Sequence, residues 1–195
     1  MNKLILIFLL IFFSCQKAKV ERNSKVIVIQ PLGNFQSDAA QEVLEKIREI
    51  NPNVVLRKSI DFPLGSYYKP RNRFRADSII KYLKSQVGTD SVIVGLSSKD
   101  ISTTKNGHQY WGIMGLGYHP GSACVVSDFR LSDKNKKDQF YKVVLHELGH
   151  TEGLPHCKTK TCLMRDAEGG NPIDEEKNFC ENCTFFLKSK NWKLQ

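Results

Sequence analysis

The sequence predicts an α/β (α+β) fold. A mixed, twisted β-sheet is covered by helices, one further helix carries the chemistry, and a small C-terminal subdomain is pinned by cysteines. Three observations predict it. β-Branched runs at residues 25–30 (KVIVIQ), 54–60 and 91–96 (SVIVGL) alternate with two stretches of helical periodicity, the order that builds a parallel or mixed sheet. A histidine-rich segment follows at residues 146–156, and two cysteine pairs follow that. Hydrophobic residues make up 41% of the 195-residue chain and charged residues 25%, ordinary values for one globular domain with a sizeable core.

Residues 1–15 read as a leader: Lys3, ten apolar residues at 4–13, then Ser14-Cys15. Ten apolar residues are too few to span a bilayer, which takes about 20, but suit the core of a signal peptide. Ser14 before Cys15 resembles a relaxed bacterial lipoprotein box, with Phe12 and Phe13 at the two preceding positions. Lipidation at Cys15 would make the chain an exported lipoprotein anchored to a membrane of the bacterial cell envelope. A plain secretory signal or a buried N-terminal strand is the alternative. Residues 16–24 are polar and read as a tether, too short for a folded inhibitory pro-segment.

The catalytic subdomain is expected over residues 25–156. The strand at 25–30 ends at Pro31 and Gly33. Ala40, Val43, Leu44, Ile47 and Ile50 recur at helical spacing, with Ser37 or Asp38 as the cap and Asn51-Pro52 as the stop. A second strand covers 54–60. Residues 62–73, with two prolines and a glycine, read as loop, and 74–87 as a helix presenting Ile79, Ile80, Leu83 and Val87. After the strand at 91–96, Asp100 reads as a turn residue. The glycine-rich, aromatic stretch 107–118 and the strand at 122–129 read as a hairpin or edge pair, and such an edge could take an extended peptide by β-augmentation. His108 and His119 within it read as surface residues, and Cys124 as a buried hydrophobe. Ser132 or Asp133 is the expected cap of the next helix, whose Phe140, Val143, Val144 and Leu148 point inward. Lys134, Lys136 and Lys137 read as a solvated face at its start.

That helix carries His146-Glu147-Leu148-Gly149-His150, and the pattern continues as Gly153 and His156. His146 and His150, four residues apart, leave one helix face, so both imidazoles can reach one zinc ion at about 2.0–2.1 Å. Glu147 is placed to touch a water on the metal without binding the metal itself. A glycine at 153 can take positive φ and end the helix, turning His156 back toward the ion, and Pro155 keeps the helix from resuming. HExxH alone arises by chance in roughly one chain in a few hundred of this length, and the added glycine and histidine lower that by about a thousandfold. The segment is therefore read as a metal site.

Residues 157–195 form the expected C-terminal subdomain. Cys157, Cys162, Cys180 and Cys183 have the spacing of a four-thiolate structural zinc site, and two disulfides are the alternative that an exported protein would favour. The net charge of +9 favours anionic surfaces or acidic substrates by its field. No nucleic-acid-binding motif accompanies it, so no nucleic-acid partner is expected.

The histidine pattern followed by Met164 resembles the metzincin metallopeptidases. The continuation Cys157-x4-Cys162-x-Met164 with Cys180-x-x-Cys183, and Ser-Asp-Phe-Arg-Leu at 127–131, resemble the archaemetzincins in particular. The likeness covers roughly residues 25–187. It implies a metzincin-like fold with two zinc ions per chain. His146, His150 and His156 would hold a catalytic zinc with Glu147 as base, the four cysteines a structural zinc, and Met164 would be the methionine of a turn beneath the metal. Two departures stand out: the loop between Met164 and Cys180 is short, and Asp166 stands where some other metzincins place a tyrosine ligand. The function expected is hydrolysis of peptide bonds in a peptide or protein substrate. The alternative is an inactive zinc- or peptide-binding surface lipoprotein, against which the retained Glu147 argues, since binding zinc alone needs no base.

Overall fold

The computed structural model describes residues 25–195, so the leader, Cys15 and the tether lie outside the described residues. In chain order the elements are β1 (Val26–Pro31), α1 (Ser37–Ile50), β2 (Val54–Leu56), β3 (Tyr67–Tyr68), a 3-10 turn (Lys69–Arg71), β4 (Arg73–Arg75) and α2 (Ala76–Lys84). There follow β5 (Ser91–Ser97), β6 (Ile101–Lys105), β7 (His108–Ile113), β8 (Gly115–Gly117), β9 (Ala123–Ser127), α3 (Lys136–Glu152) and α4 (Glu181–Ser189).

The main sheet has the order β2-β1-β5-β9-β8. Its first four strands are parallel, and β8 closes it antiparallel to β9. Alternation along the strands decides which helices cover which face. Ile27, Ile29, Val92, Val94, Cys124 and Val126 point to one side and share a core with Val43 and Ile47 of α1 and Val144 and Leu148 of α3. Val28, Ile93 and Val125 point to the other side, against Ile79, Ile80 and Leu83 of α2. Both faces are covered, which is why these strands read as unbroken apolar runs. Each fully buried Val, Ile or Leu here contributes about 1.5–3 kcal/mol.

The larger core continues into the C-terminal segment through Leu163, Met164, Ile173, Phe179, Leu187 and Trp192. Lys193 N–H also donates to the Ile50 carbonyl at 2.7 Å. The cysteine-bearing tail is thus packed directly beneath α3.

Several local expectations shift. β2 stops at Leu56: Arg57 N–H still donates to the Ile29 carbonyl at 3.0 Å, and beyond it only Ile60 makes a single bridge, to Leu32. Residues 62–73, read as loop, contain β3 and the 3-10 turn and lead into β4, which takes the start expected for α2. With β6 and β7 these strands make a second sheet, ordered β3-β4-β6-β7. Pieces of two or three residues carry no periodicity of their own, and it is pairing with distant partners that makes them strands. The caps also move: α1 begins after Gln36 and α3 after Asn135, neither with a side-chain cap. Asp133 instead pairs with Lys136 at 2.7 Å, and Lys137 pairs with Glu42 at 3.0 Å, so the lysines at the start of α3 are partly neutralised.

Candidate metal centre and active site

The last two turns of α3 place His146 and His150 on one face, and the chain then reverses at Gly153, whose φ is +110°. Gly153 N–H donates to the His150 carbonyl and Leu154 N–H to that of Gly149, a left-handed helix end of the kind a glycine permits. The reversal returns His156 to the first two. Ring centroids are 4.6 Å apart for His146 and His150, 4.8 Å for His150 and His156, and 5.4 Å for His146 and His156. One ligand atom from each can be chosen so that all lie within 4.8 Å of one another.

Hydrogen bonding selects which ring nitrogen is free. His146 Nδ1 lies 2.6 Å from the Leu163 carbonyl oxygen and His150 Nδ1 lies 2.7 Å from that of Leu154. A carbonyl can only accept, so each Nδ1 carries its proton and each Nε2 presents a lone pair. His156 Nδ1 is 3.3 Å from Asp166 Oδ2, the carboxylate–histidine arrangement that orients metal ligands. Asp166 is itself held below the usual carboxylate range, chiefly by the backbone N–H of Glu168. Burial lowers His146 to about 3 and His150 to about 4, so both are neutral and ready to ligate.

Glu147 is 6% exposed, and burial alone pushes its carboxyl up to about 8. Strand β8 runs directly over it. A Cβ on Gly115 would collide with the Glu147 carboxylate, and one on Gly117 would meet the Glu147 carbonyl oxygen at 2.9 Å. Gly149 is constrained from beneath, since a Cβ there would stand 2.5 Å from Sδ of the fully buried Met164. The glycines at 115, 117 and 149 therefore let a strand and a methionine close on the helix from two sides.

These groups open onto a cavity of about 860 Å³ lined by β8, the tip of the second sheet and the loop after Met164. His119, read as a surface residue, is exposed but also lines this cavity, its ring 5.7 Å from that of His150. His108 is exposed, its ring tilted against that of Trp111 at 5.9 Å between centroids. Asp100, read as a turn residue, is 7% exposed and receives Arg73 at 2.6 Å and Arg130 at 2.7 Å. It ties the second sheet to the 127–131 segment. Three charges brought together from 73, 100 and 130 leave no local signal in the sequence.

The four tail cysteines also converge. All are free thiols, and their sulfurs lie within 4.8 Å of one another. Cys162 Sγ accepts N–H groups from Met164 at 3.4 Å and Cys180 at 3.3 Å, and Cys157 Sγ accepts that of Thr159 at 3.4 Å. Burial opposes ionisation of Cys180, yet the backbone N–H of Cys183 and the neighbouring thiols bring it down to about 7. Cys124 lies apart, fully buried in β9 as a hydrophobe.

Residues 21–189 match peptidase family M54. The archaemetzincin of Nanoarchaeum equitans is 33% identical over 153 residues, 78% of this chain and 84% of that protein. The archaemetzincin of Haloquadratum walsbyi is 27% identical over 176 residues, 83% of this chain and 99% of that protein. The crystal structure of the Methanopyrus kandleri archaemetzincin superposes with a TM-score of 0.74 at 27% identity, covering 88% of this chain and 98% of that one. That of the Archaeoglobus fulgidus archaemetzincin gives 0.69 at 27% identity, with 82% and 98% covered.

These likenesses correct the expected placement as an exported lipoprotein of the bacterial cell envelope anchored through Cys15. The relatives are archaeal proteins, and the match takes up 99% of the Haloquadratum walsbyi protein and 98% of the Methanopyrus kandleri chain. Among the described residues no helix is long and apolar enough to cross a membrane. The family match, the matching folds and the histidine geometry lead to one conclusion: the chain belongs to peptidase family M54, the archaemetzincins, and is a zinc metallopeptidase.

Proposed function

We propose that the chain hydrolyses peptide bonds with His146, His150 and His156 holding the catalytic zinc through Nε2 and Glu147 acting as general base. Cys157, Cys162, Cys180 and Cys183 would hold a second zinc that serves structure alone. The observation that carries this reading is the pairing of three oriented imidazoles, two of them held neutral by burial, with a buried carboxylate that has no partner among the described residues. The donor set fits the ion: three imidazole nitrogens with one side open to a cavity suit a catalytic site, and four sulfurs facing one another suit a closed one. Zinc bound by the histidines supplies Lewis acidity, polarising the scissile carbonyl and making water a nucleophile near neutral pH.

The protein's own groups do the rest. Glu147 accepts the proton of the attacking water, holds it on a carboxyl roofed by Gly115 and Gly117, and returns it to the leaving amine nitrogen. The Nδ1 acceptors keep the three rings from turning. Among the described residues no strand pairs with the outer edge of β8, which leaves that edge to receive the substrate backbone in extended form.

The test combines zinc analysis with a mixed-peptide cleavage screen. Two zinc ions per chain, and cleavage that falls by about 10³-fold or more in Glu147→Gln with both ions retained, is the expected result. Equal cleavage by the variant would remove Glu147 from the chemistry. One zinc per chain would return the cysteines to disulfides.

A further inference from the structure

Four carboxyl side chains line the cavity: Asp77, Glu147, Asp166 and Glu176. Three have an evident occupation. Asp77 accepts from Arg75, Thr103 and Tyr118, each at 3.0 Å. Asp166 accepts the Glu168 N–H at 2.9 Å and faces His156. Glu147 belongs to the histidine site. Glu176 is different.

Glu176 is 5% exposed, and its carboxylate makes no hydrogen bond or ion pair with any described residue. The two cations nearest in charge are committed elsewhere. Lys142 Nζ binds Asp138 at 2.8 Å and the Ile173 carbonyl at 3.2 Å, and Arg165 Nη1 binds Glu175 at 2.7 Å. Burial consequently pushes the Glu176 carboxyl up to about 7, with Lys142 and Arg165 offsetting only part of the effect. A buried, unpaired carboxylate costs stability, so a fold that keeps one on a cavity wall leaves a place for a counter-charge. Apolar surface lies alongside. Ile173, whose carbonyl receives the Glu176 N–H, and Val143, one turn before His146 on α3, both line the cavity. That is the surface on which a lysine or arginine stem lies while its head reaches a carboxylate.

We infer that this cavity is a specificity subsite for a cationic side chain, Glu176 pairing with a lysine or arginine next to the scissile bond. The inference rests on the peptidase reading above and adds the class of substrate to it. The chain's net charge of +9 works against a cationic peptide at long range. The preference must therefore arise at contact, inside the cavity, rather than from electrostatic steering.

Quenched peptides carrying Lys, Arg, Leu or Glu at each of the two positions flanking one cleavable bond test this with the zinc-loaded protein. At one of those positions, kcat/KM for Lys and Arg is expected to exceed that for Leu by about tenfold or more, with Glu poorest. In Glu176→Gln the ratio of basic to Leu substrate falls to near one, and Glu176→Asp restores part of it. No basic preference in the native enzyme, or an undiminished one in Glu176→Gln, overturns the inference. If the native protein cleaves none of these peptides, the peptidase reading fails for them while the subsite is still measured by binding. Calorimetry on zinc-loaded Glu147→Gln should give a blocked arginine peptide about tenfold tighter binding than its leucine counterpart. Adding Glu176→Gln should abolish that difference, and equal binding of the two peptides before that change overturns the subsite.

Discussion

The histidine triad and the cysteine cluster meet at adjacent residues, His156 and Cys157, yet the fold surrounds them in opposite ways. The triad sits on the rim of a cavity of about 860 Å³, with its Nδ1 atoms tied back to protein acceptors and its free nitrogens turned toward open space. The four sulfurs face one another, and the N–H groups that point at them belong to Thr159, Met164 and Cys180. An open three-ligand set leaves room for a substrate; a closed four-ligand set leaves none. One segment, 157–166, serves both, for Leu163 orients His146, Met164 supports α3, Asp166 orients His156, and Cys157 and Cys162 join the cluster. Order in the cluster is thereby transmitted to the triad through backbone and packing.

The largest expected break in this comparison comes from the closed side. Cys162→Ser replaces a fully buried sulfur that accepts two backbone N–H groups. Zinc content should fall from two ions to one, with a loss of several kcal/mol that lowers Tm by about 10 °C or more. An unchanged zinc count with a stable protein would mean that the cysteines do not hold metal.

A second variant separates packing from ligation. Gly149→Ala touches neither cluster but pushes a methyl group against the sulfur of the fully buried Met164. Overpacking there should cost about 1–3 kcal/mol, read as a Tm lowered by about 3–10 °C, with both zinc ions still bound. A fully stable Gly149→Ala protein would show that Met164 can move aside and does not brace the helix.

The smallest effect belongs to the carboxylate behind the third histidine. Asp166→Asn keeps the shape but weakens the partner of His156 Nδ1. Affinity at the histidine site should drop about tenfold in a competition assay against a chelator, while the cysteine site is unaffected. Equal loss at both sites would make Asp166 a general structural residue instead.

Much of this was legible in the sequence because the signals are local. His146 and His150 share a face by helical spacing, Gly153 ends the helix through its tolerance of positive φ, and the apolar runs at β1 and β5 announce a sheet covered on both sides. The second sheet was not legible. Residues 67–75 and 101–113 have polar or mixed faces, and their strands exist because β4 finds β6 some 27 residues away, as in the Phe74–Ile101 pair. The same holds for Asp100 with Arg73 and Arg130, an ion network whose members are unremarkable one by one.

The sequence by itself determined the histidine and cysteine spacing on α3 and through the tail, the carboxylate beside the histidines, and the broad α/β order, because each depends on periodicity or on a residue's intrinsic chemistry. Only the tertiary structure decided which ring nitrogens are free, why positions 115, 117 and 149 must be glycine, and that the Glu176 carboxylate, outside the histidine site, lacks a partner among the described residues. Those are facts about distances between residues far apart in the chain. Close packing and burial settle them, and neither leaves a mark on a short stretch of sequence.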